Sequence, residues 1–314
     1  MPSAGAALTS VLETAYLFPN DPTETDRLDF QFEIFRMLFR GRNYFAPWRP
    51  RVYEPTKVLD IGTGTGQWCL ELGDEFPSAQ IAGTDLSPIQ PAYVPPNVRF
   101  WIEDSSEDWA QWHTPDYDYV HTRMSVGCFG DYKSEIVDKA FAYLRPGGWF
   151  EAQELFPRMH CDDGTLTDDS PLKVWSETLM GASSKASRPV DIAPKLKEWM
   201  QQAGFVDVRE RVFKLPVNNW PLQRFYKDVG RLWQQNLLMG LSGLSLALLS
   251  RVEGWSVERI ELFLIDVRKA LSDPSIHAYN RVHVVVGRKP GSAGGSPGIV
   301  QERSGSPSDQ EMAD

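Results

Sequence analysis

The stretch Val58-Leu59-Asp60-Ile61-Gly62-Thr63-Gly64-Thr65-Gly66 decides the fold. Its first half belongs to a short apolar run, Lys57–Ile61, that is typical of a buried strand. Its second half alternates glycine with threonine, and glycines there let a ligand approach the main chain closely. Because Gln67–Phe76 then has a helical pattern, the stretch predicts a strand, a ligand-binding loop and a helix in succession.

Three kinds of ligand loop compete for this stretch. A P-loop ends in Gly-Lys-Ser/Thr, whereas this loop continues into Gln67-Trp68, which excludes it. The dinucleotide fingerprint G-x-G-x-x-G, begun at Gly62, requires glycine where Gln67 stands, so a nicotinamide-dependent oxidoreductase is kept only as a third hypothesis. The spacing D-x-G-x-G-x-G instead looks like the cofactor loop of class I methyltransferases, whose ligand S-adenosylmethionine has no phosphate to cradle.

Strand and helix patterns alternate along the chain from Lys57, which predicts an α/β fold with a parallel sheet and right-handed crossovers. Besides Lys57–Ile61, the predicted strands are Gln80–Thr84, Val98–Ile102, Tyr117–His121, Trp149–Glu154, Phe205–Leu215 and Arg281–Arg288. The predicted helices between them are Gln67–Phe76, Lys133–Leu144 and Ile192–Ala203, and Arg145-Pro146-Gly147-Gly148 is predicted to be a turn.

An acidic residue closes or follows each of the first three strands. Asp60 at the end of the first strand suits the ammonium of an amino-acid ligand, and the loop's N–H groups suit its carboxylate. Asp85 closes the second strand and is predicted to accept both ribose hydroxyls. Asp104 follows the third strand and is predicted to accept from the adenine amino group.

Several further stretches carry a resemblance to the LaeA-like fungal methyltransferases, which are relatives of a velvet-complex regulator. They run from about Tyr16 to Pro290. Besides Val58–Gly66, they are Leu17-Phe18-Pro19-Asn20-Asp21, Arg27-Leu28-Asp29, Gly83-Thr84-Asp85-Leu86-Ser87-Pro88-Ile89-Gln90-Pro91, Val94-Pro95-Pro96-Asn97-Val98, Leu144-Arg145-Pro146-Gly147-Gly148 and His277-Ala278-Tyr279.

The resemblance implies a Rossmann-like class I methyltransferase fold with a seven-stranded, mostly parallel sheet whose last strand is antiparallel. It also implies cofactor contacts at the positions corresponding to Asp60, Gly62, Gly64, Asp85 and Asp104. The predicted cofactor-binding residues for S-adenosyl-L-methionine are Asp60, Gly62, Thr63, Gly64, Gly66, Asp85, Leu86, Asp104, Ser105 and His121.

Helical patterns outside the sheet predict a cap over the pocket. Asp21-Pro22-Thr23-Glu24 reads as a helix start, and the run that follows is apolar around much of its circumference until Gly41. Further helices are predicted at Pro221–Leu249 and Ser256–Leu271. The predicted organisation is an N-terminal helical lid (1–50), a methyltransferase domain (51–290) with cap insertions at 155–195 and 217–279, and a disordered tail (291–314).

Candidate proton acceptors lie on strands four and five. His121 and Glu154 are the predicted catalytic residues, because a titratable group beside the transferred methyl group is able to remove a proton. Glu151 is a further candidate, Arg123 is a candidate for orienting an acidic acceptor, His160 is a weaker candidate, and His113 is interpreted as structural. Aromatic residues predicted to make the cap apolar are Tyr16, Phe18, Trp175, Phe225, Tyr226 and Trp233.

The charge and the cysteine content of the chain argue against several classes of binding partner. A formal charge of −10 without a Lys/Arg-rich run argues against nucleic acid and against an anionic membrane surface. Cys69, Cys128 and Cys161 are far apart and predict free thiols, with neither a disulfide framework nor a metal site. With no signal peptide or spanning segment recognised, the predicted location is the cytoplasm, with the nucleus as the alternative.

Two functional hypotheses follow from these patterns. The first is an enzyme that methylates oxygen or nitrogen of a small-molecule fungal secondary metabolite. The second is a regulatory methyltransferase that acts with or on a protein partner of velvet type. A homodimer is also left open.

Overall fold

The computed structural model describes residues 22–51, 55–111 and 113–291, and seven strands in these ranges form one sheet. The strands are β1 (Lys57–Ile61), β2 (Gln80–Asp85), β3 (Val98–Ile102), β4 (Tyr117–Arg123), β5 (Leu144–His160), β6 (Val206–Pro216) and β7 (Tyr279–Arg288). Each of the seven predicted strands is present, and most extend a few residues beyond the predicted bounds.

The sheet has the order β3-β2-β1-β4-β5-β7-β6. Strands β1 to β5 are mutually parallel, whereas β7 is antiparallel to both β5 and β6. The predicted fold class is therefore confirmed, including the antiparallel last strand. Since the chain order reverses between β1 and β4, a crevice opens at the carboxyl ends of these two strands, where ligands of such sheets bind.

Within the described residues, seven α-helices accompany the sheet. They are α1 (Pro22–Leu38), α2 (Gln67–Glu75), α3 (Asp138–Tyr143), α4 (Pro171–Lys185), α5 (Leu196–Ala203), α6 (Arg224–Arg251) and α7 (Val257–Leu271). Helix α5 ends where it was predicted to end, because Gly204 adopts the left-handed conformation that closes helices (φ 99°). Ser256 caps α7 by accepting from the Arg259 N–H.

Several predicted boundaries were wrong, including the start of the helix predicted at 221–249, which begins at Arg224. Helix 133–144 begins as a π-helical turn, Lys133–Val137, before α3. Helix 192–203 begins as a 3-10 turn, Ala193–Lys195, before α5. The predicted turn at 145–148 is instead a bulge inside β5, because Leu144 pairs with Tyr117 while Trp149 already pairs with Tyr119.

The elements predicted at the two ends of the chain lie partly outside the described residues. Helix α1 begins at Pro22 as predicted, but its predicted N-cap, Asp21, is not among them. The helix ends at Leu38, three residues before Gly41, which has φ 79°. The predicted tail after residue 291 also lies outside the description.

Helices α1, α4, α6 and α7, here called the helical cap, share one hydrophobic core. It contains Phe35 of α1, Trp175 of α4, Trp233 of α6 and Leu264 of α7, all buried. The three cysteines are free, as predicted. None of the helices within the described residues is long and apolar enough to cross a membrane.

Two glycines inside cap helices make a matched test of this packing. A Cβ on Gly230 of α6 would lie 2.0 Å from the Asn218 carbonyl oxygen, whereas one on Gly181 of α4 would meet no atom within 4 Å. We therefore expect Gly181→Ala to raise the free energy of unfolding by about 0.5–1 kcal/mol through helix propensity. Gly230→Ala should lower it by roughly 1–3 kcal/mol through overpacking. Denaturant unfolding of both variants measures this, and stabilisation by Gly230→Ala would contradict the packing described.

Candidate functional site

A cavity, here called the strand-end cavity, lies at the carboxyl ends of β1, β2 and β4 under helix α1. The space within it that the centre of a water-sized sphere can reach is about 160 Å³. Most of the predicted cofactor residues line it: Asp60, Gly62, Thr63, Gly64, Asp85, Leu86, Asp104, Ser105 and His121. Helix α1 adds Leu28, Gln31, Phe32 and Phe35, which the sequence interpretation did not assign to the site.

The glycine loop is held open by side chains from its neighbours. Asp85 accepts the Gly64 N–H at 2.8 Å and the Ser87 N–H at 2.9 Å, and the Gln90 amide donates to the Gly64 carbonyl at 2.7 Å. Burial raises the pKa of the Asp85 carboxyl. A Cβ on Gly62 would meet nothing within 4 Å, so the backbone there faces open space. The loop therefore presents main chain to the cavity.

Gly66 was itself predicted to contact the cofactor, and its surroundings indicate a different role. It does not line the cavity, it has φ 82°, and a Cβ on it would lie 2.3 Å from the Phe100 ring. Any side chain here would strain the backbone and displace that ring. Gly66 thus lets α2 begin close against β3 and shapes the loop from behind.

His121 and Asp60 form a buried pair at the floor of the cavity. The Nδ1 atom of His121 lies 2.7 Å from Asp60 Oδ1, and the imidazole stacks on the Trp68 ring with centroids 4.0 Å apart. Because a carboxylate only accepts, Nδ1 donates to Asp60, and Nε2 is the ring nitrogen outside this pair. Nε2 has no partner in the described part of the chain.

Arg123 is a second buried group with unused hydrogen-bonding capacity. Its Nε donates to Gln153 at 2.7 Å and its Nη2 to the Asn43 carbonyl at 3.1 Å. Its Nη1 finds no acceptor within the described ranges, although the residue lines the cavity. Burial lowers the pKa of Arg123 to about 10, so the guanidinium is still charged at neutral pH.

Glu151 and Glu154 point away from the cavity. Glu154 accepts from Ser125 Oγ at 2.5 Å, from the Ser125 N–H at 2.8 Å and from Thr122 Oγ1 at 3.2 Å, and it does not line the cavity. Burial raises its pKa to about 7. The structure thus brings His121 to the cavity and leaves Glu154 behind Ser125.

Glu151 anchors the segment that follows α1. Its carboxylate accepts the N–H groups of Phe45 and Ala46 at 2.7–3.0 Å and the Tyr119 hydroxyl at 2.9 Å. The neighbouring Asn43 carbonyl accepts from the Trp68 indole at 2.8 Å, from Arg123 and from the Gln153 amide at 3.1 Å. These bonds fix the end of α1 onto β4 and β5.

The segment after β3 supplies one acid that the sequence interpretation missed. Asp104 lines the cavity while its Oδ1 accepts the Ser106 N–H. Glu103 also lines it and lies 2.8 Å from His113 Nε2. The signal was present, since two acids follow β3 in succession and only the second was chosen.

The other predicted histidines lie elsewhere. Tyr117 and Glu103 hold His113 through hydrogen bonds, which agrees with the interpretation of His113 as structural. His160 lines neither the strand-end cavity nor the second cavity described next. Burial lowers its pKa to about 4.

A second cavity, here called the helical cavity, lies between the cap and β5. About 150 Å³ of it is open to the centre of a water-sized sphere. It shares four lining residues with the strand-end cavity, namely Leu28, Gln31, Met124 and Cys128. Of the aromatics predicted for an apolar pocket, Trp175 and Trp233 line it and Phe225 and Tyr226 do not, while Tyr16 and Phe18 lie outside the described residues.

Met124 at the junction of the cavities has a strained backbone. It follows β4 and adopts φ 57°, which is unusual for a residue other than glycine, and its N–H donates to the Gln153 carbonyl at 3.0 Å. Strain of this kind is concentrated at functional sites.

No group of three or more His, Cys, Asp or Glu side chains suited to a metal occurs in residues 22–51, 55–111 and 113–291.

Comparison with known proteins gives matches over most of the chain. A family described as "Methyltransferase domain" matches residues 30–210. Methyltransferase pytC of Aspergillus terreus is 39% identical over 88% of this chain and 84% of its own length. The secondary metabolism regulator LAE1 of Cochliobolus heterostrophus is 35% identical over 88% of this chain and 90% of its own.

A solved structure has the same fold. Mycolic acid cyclopropane synthase CmaA1, complexed with SAH and CTAB, is 16% identical, with a TM-score of 0.50 over 90% of this chain and 95% of that chain.

Because Glu154 is buried and its pKa is raised, we expect the free energy of unfolding to depend on pH. Its pKa of about 7 in the folded state exceeds the ordinary value of 4.5, so the folded state holds the proton more tightly than the unfolded state does. The resulting contribution to the free energy of unfolding is present below pH 4.5 and is lost as pH rises from about 4.5 to 7. As pH is raised from 5 to 8, the free energy of unfolding of the Glu154→Gln variant should therefore increase by about 2–3 kcal/mol relative to that of the wild type. Denaturant unfolding across this range measures the difference.

Glu177→Gln, on the exposed face of α4, is the control, and its free energy of unfolding should change with pH as that of the wild type does. Parallel curves for Glu154→Gln as well would show that Glu154 is ionised in the fold throughout this range.

Proposed function

Because the chain belongs to the methyltransferase domain family, and is thus a methyltransferase, we propose that the strand-end cavity holds S-adenosylmethionine and that the acceptor is a small molecule in the helical cavity. The observation that carries the proposal is the junction between the two cavities. One holds the charged residues that suit the cofactor, the other is largely apolar, and Met124 and Leu28 line both.

The residues of the strand-end cavity fit this cofactor. The Asp60 carboxylate suits the ammonium of its amino-acid part, and the unpaired Nη1 of Arg123 suits the carboxylate. Asp85 would accept from the ribose hydroxyls, and Asp104 or Glu103 from the adenine amino group. Leu86 and Ser105 would contact the nucleoside part, whereas the main chain of the glycine loop at Gly62 would lie close to the cofactor. Among the residues that line this cavity, His121 Nε2 and Arg123 Nη1 are buried and have no partner in the described ranges, and a bound cofactor would account for both.

S-adenosylmethionine supplies an electrophilic methyl group for in-line transfer to a nucleophile. The chain must align the acceptor and exclude water, and α1 supports both because its Leu28, Phe32 and Phe35 close the cavity. His121 is the better placed of the two predicted catalytic residues, since its free Nε2 is able to accept a proton from an oxygen or nitrogen acceptor. Glu154 would act only through Ser125 Oγ.

Cofactor binding is tested by isothermal titration of the full chain with S-adenosylhomocysteine. We expect binding, and we expect Asp85→Asn to weaken it roughly 10- to 100-fold, because an amide replaces a charged acceptor for two hydroxyls. Asp74→Asn, exposed on α2, is the matched control and should bind as the wild type does. Thermal unfolding confirms that each variant is folded.

The dinucleotide NAD serves as the control ligand. Absence of S-adenosylhomocysteine binding to the wild type, or binding of NAD in its place, would contradict the proposed cofactor.

The second candidate function is regulatory action with a protein partner of velvet type. A specific observation favours it, since Leu262 and Ile265 are exposed, lie three residues apart and so share a face of α7, with exposed Val257 nearby. One relative is named a secondary metabolism regulator. The cytoplasm is the proposed location for the metabolite enzyme, and the nucleus is the proposed location for the regulator.

Size-exclusion chromatography of the chain mixed with a purified velvet-type protein separates these functions. The regulatory candidate requires a stable complex that Leu262→Ser weakens and Glu258→Gln, an exposed change on the same helix, does not. Elution of the two proteins as separate species would exclude it, and a homodimer would be visible in the chain alone.

A further inference from the structure

The wall of the helical cavity is mostly apolar but contains one cluster of polar side chains. Glu24, Arg27 and Gln31 come from α1, and Asn236 comes from α6. All four line the cavity where the two helices cross. Since polar groups in an apolar pocket fix the orientation of a ligand, their free hydrogen-bonding positions indicate what the pocket recognises.

The charge of Arg27 is already balanced within the cluster. Glu24 accepts from its Nε at 2.7 Å and from its Nη2 at 2.5 Å, and both side chains are close to 90% buried. Gly240 of α6 makes room for Arg27, because a Cβ there would lie 3.1 Å from Arg27 Cδ. The paired Arg27 is therefore a poor receptor for an anionic ligand.

The third nitrogen of Arg27 sets the orientation of two amides. Nη1 donates to Gln31 Oε1 at 2.9 Å and to Asn236 Oδ1 at 3.2 Å. Because a guanidinium only donates, the amide oxygens must face it, and both amide NH₂ groups are turned away. Neither NH₂ group donates to any protein atom in the described ranges. Both NH₂ groups are therefore available to donate to a ligand in the cavity.

Other polar side chains of this wall are committed elsewhere. The Asn280 amide donates to the Pro157 carbonyl at 3.0 Å, and its oxygen accepts from the Trp233 indole. Ser176 Oγ donates to the Lys173 carbonyl at 3.1 Å. The two amides of Gln31 and Asn236 are consequently the distinctive hydrogen-bond donors that the wall offers.

We propose that the helical cavity binds an uncharged, apolar molecule through a carbonyl oxygen, which accepts from the side-chain amides of Gln31 and Asn236. This inference rests on the proposed function, in which the same cavity receives the methyl acceptor. Since Gln31 lines both cavities, the carbonyl is held beside the junction and its position orients the rest of the acceptor. A molecule without such an oxygen leaves two buried donors unpaired and is rejected.

Two isosteric probes test the proposal on the wild-type chain. 2-Acetylnaphthalene carries a ketone, and 2-isopropenylnaphthalene carries a CH₂ group in place of its oxygen. Equilibrium dialysis, with and without S-adenosylhomocysteine, should show the ketone bound about 10-fold more tightly. Equal affinity for the two probes, or no binding of the ketone, overturns the proposal.

Conservative variants assign the preference to the two amides. Asn236→Asp and Gln31→Glu keep an oxygen that accepts from Arg27 and replace the NH₂ donor with a second acceptor oxygen, which also brings a negative charge into the cluster. Each should reduce the roughly 10-fold preference for the ketone, and the ratio of the two probe affinities within each variant measures this. Ser176→Ala, which changes a committed polar group of the same wall, should leave the preference unchanged.

The outcomes separate this inference from the proposed function. Retention of the ketone preference in both carboxylate variants overturns the role of the amides. If one variant does not fold, the other and the wild-type comparison decide. Failure of S-adenosylhomocysteine to bind would refute the proposed cofactor, whereas the probe affinities depend on the helical cavity alone.

Discussion

The arrangement of both cavities depends on how the Glu151 carboxylate holds the segment after α1. It accepts two consecutive backbone N–H groups, those of Phe45 and Ala46, as well as the Tyr119 hydroxyl, while donors from three elements converge on the Asn43 carbonyl. A buried carboxylate with several donors is stable only in a fixed geometry. The end of α1 is therefore tied to β4 and β5, and the helix lies over the strand ends.

This position of α1 connects the cap with the cofactor chemistry. One helix supplies the hydrophobic cover of the strand-end cavity and, through Arg27 and Gln31, the polar cluster of the helical cavity. Methyl transfer mainly requires that donor and acceptor are aligned in a site without water. A helix that forms part of both cavities is suited to that task, because the acceptor then lies at a defined distance from the glycine loop.

Much of the fold and part of the site were predictable from sequence. The strands were found because buried parallel strands are short apolar runs, and Asp60, Asp85 and Asp104 were found because ligands bind where such strands end. The bulge at residues 145–148 was missed, because a Pro-Gly-Gly sequence favours a turn. Only the pairing of Leu144 with β4 and the bonds of Gly147 and Gly148 to Lys289, just after β7, keep it in the strand.

Residues whose role depends on distant partners were not predictable. Arg27 and Asn236 are 209 positions apart and meet only because α1 and α6 cross, so no local pattern indicates the orientation of that amide. Glu154 was chosen for its place at the end of a strand, yet its side chain faces Ser125 and Thr122 behind the cavity. Pattern alone cannot decide on which side of the backbone a buried carboxylate lies.

Hydrogen–deuterium exchange with and without S-adenosylhomocysteine tests most directly whether α1 closes over the cofactor at the strand ends. The account predicts slower exchange on binding in the glycine loop (62–66) and in residues 28–35 of α1, with no change in α7 (Val257–Leu271). Protection of the loop without any change in α1 would contradict it.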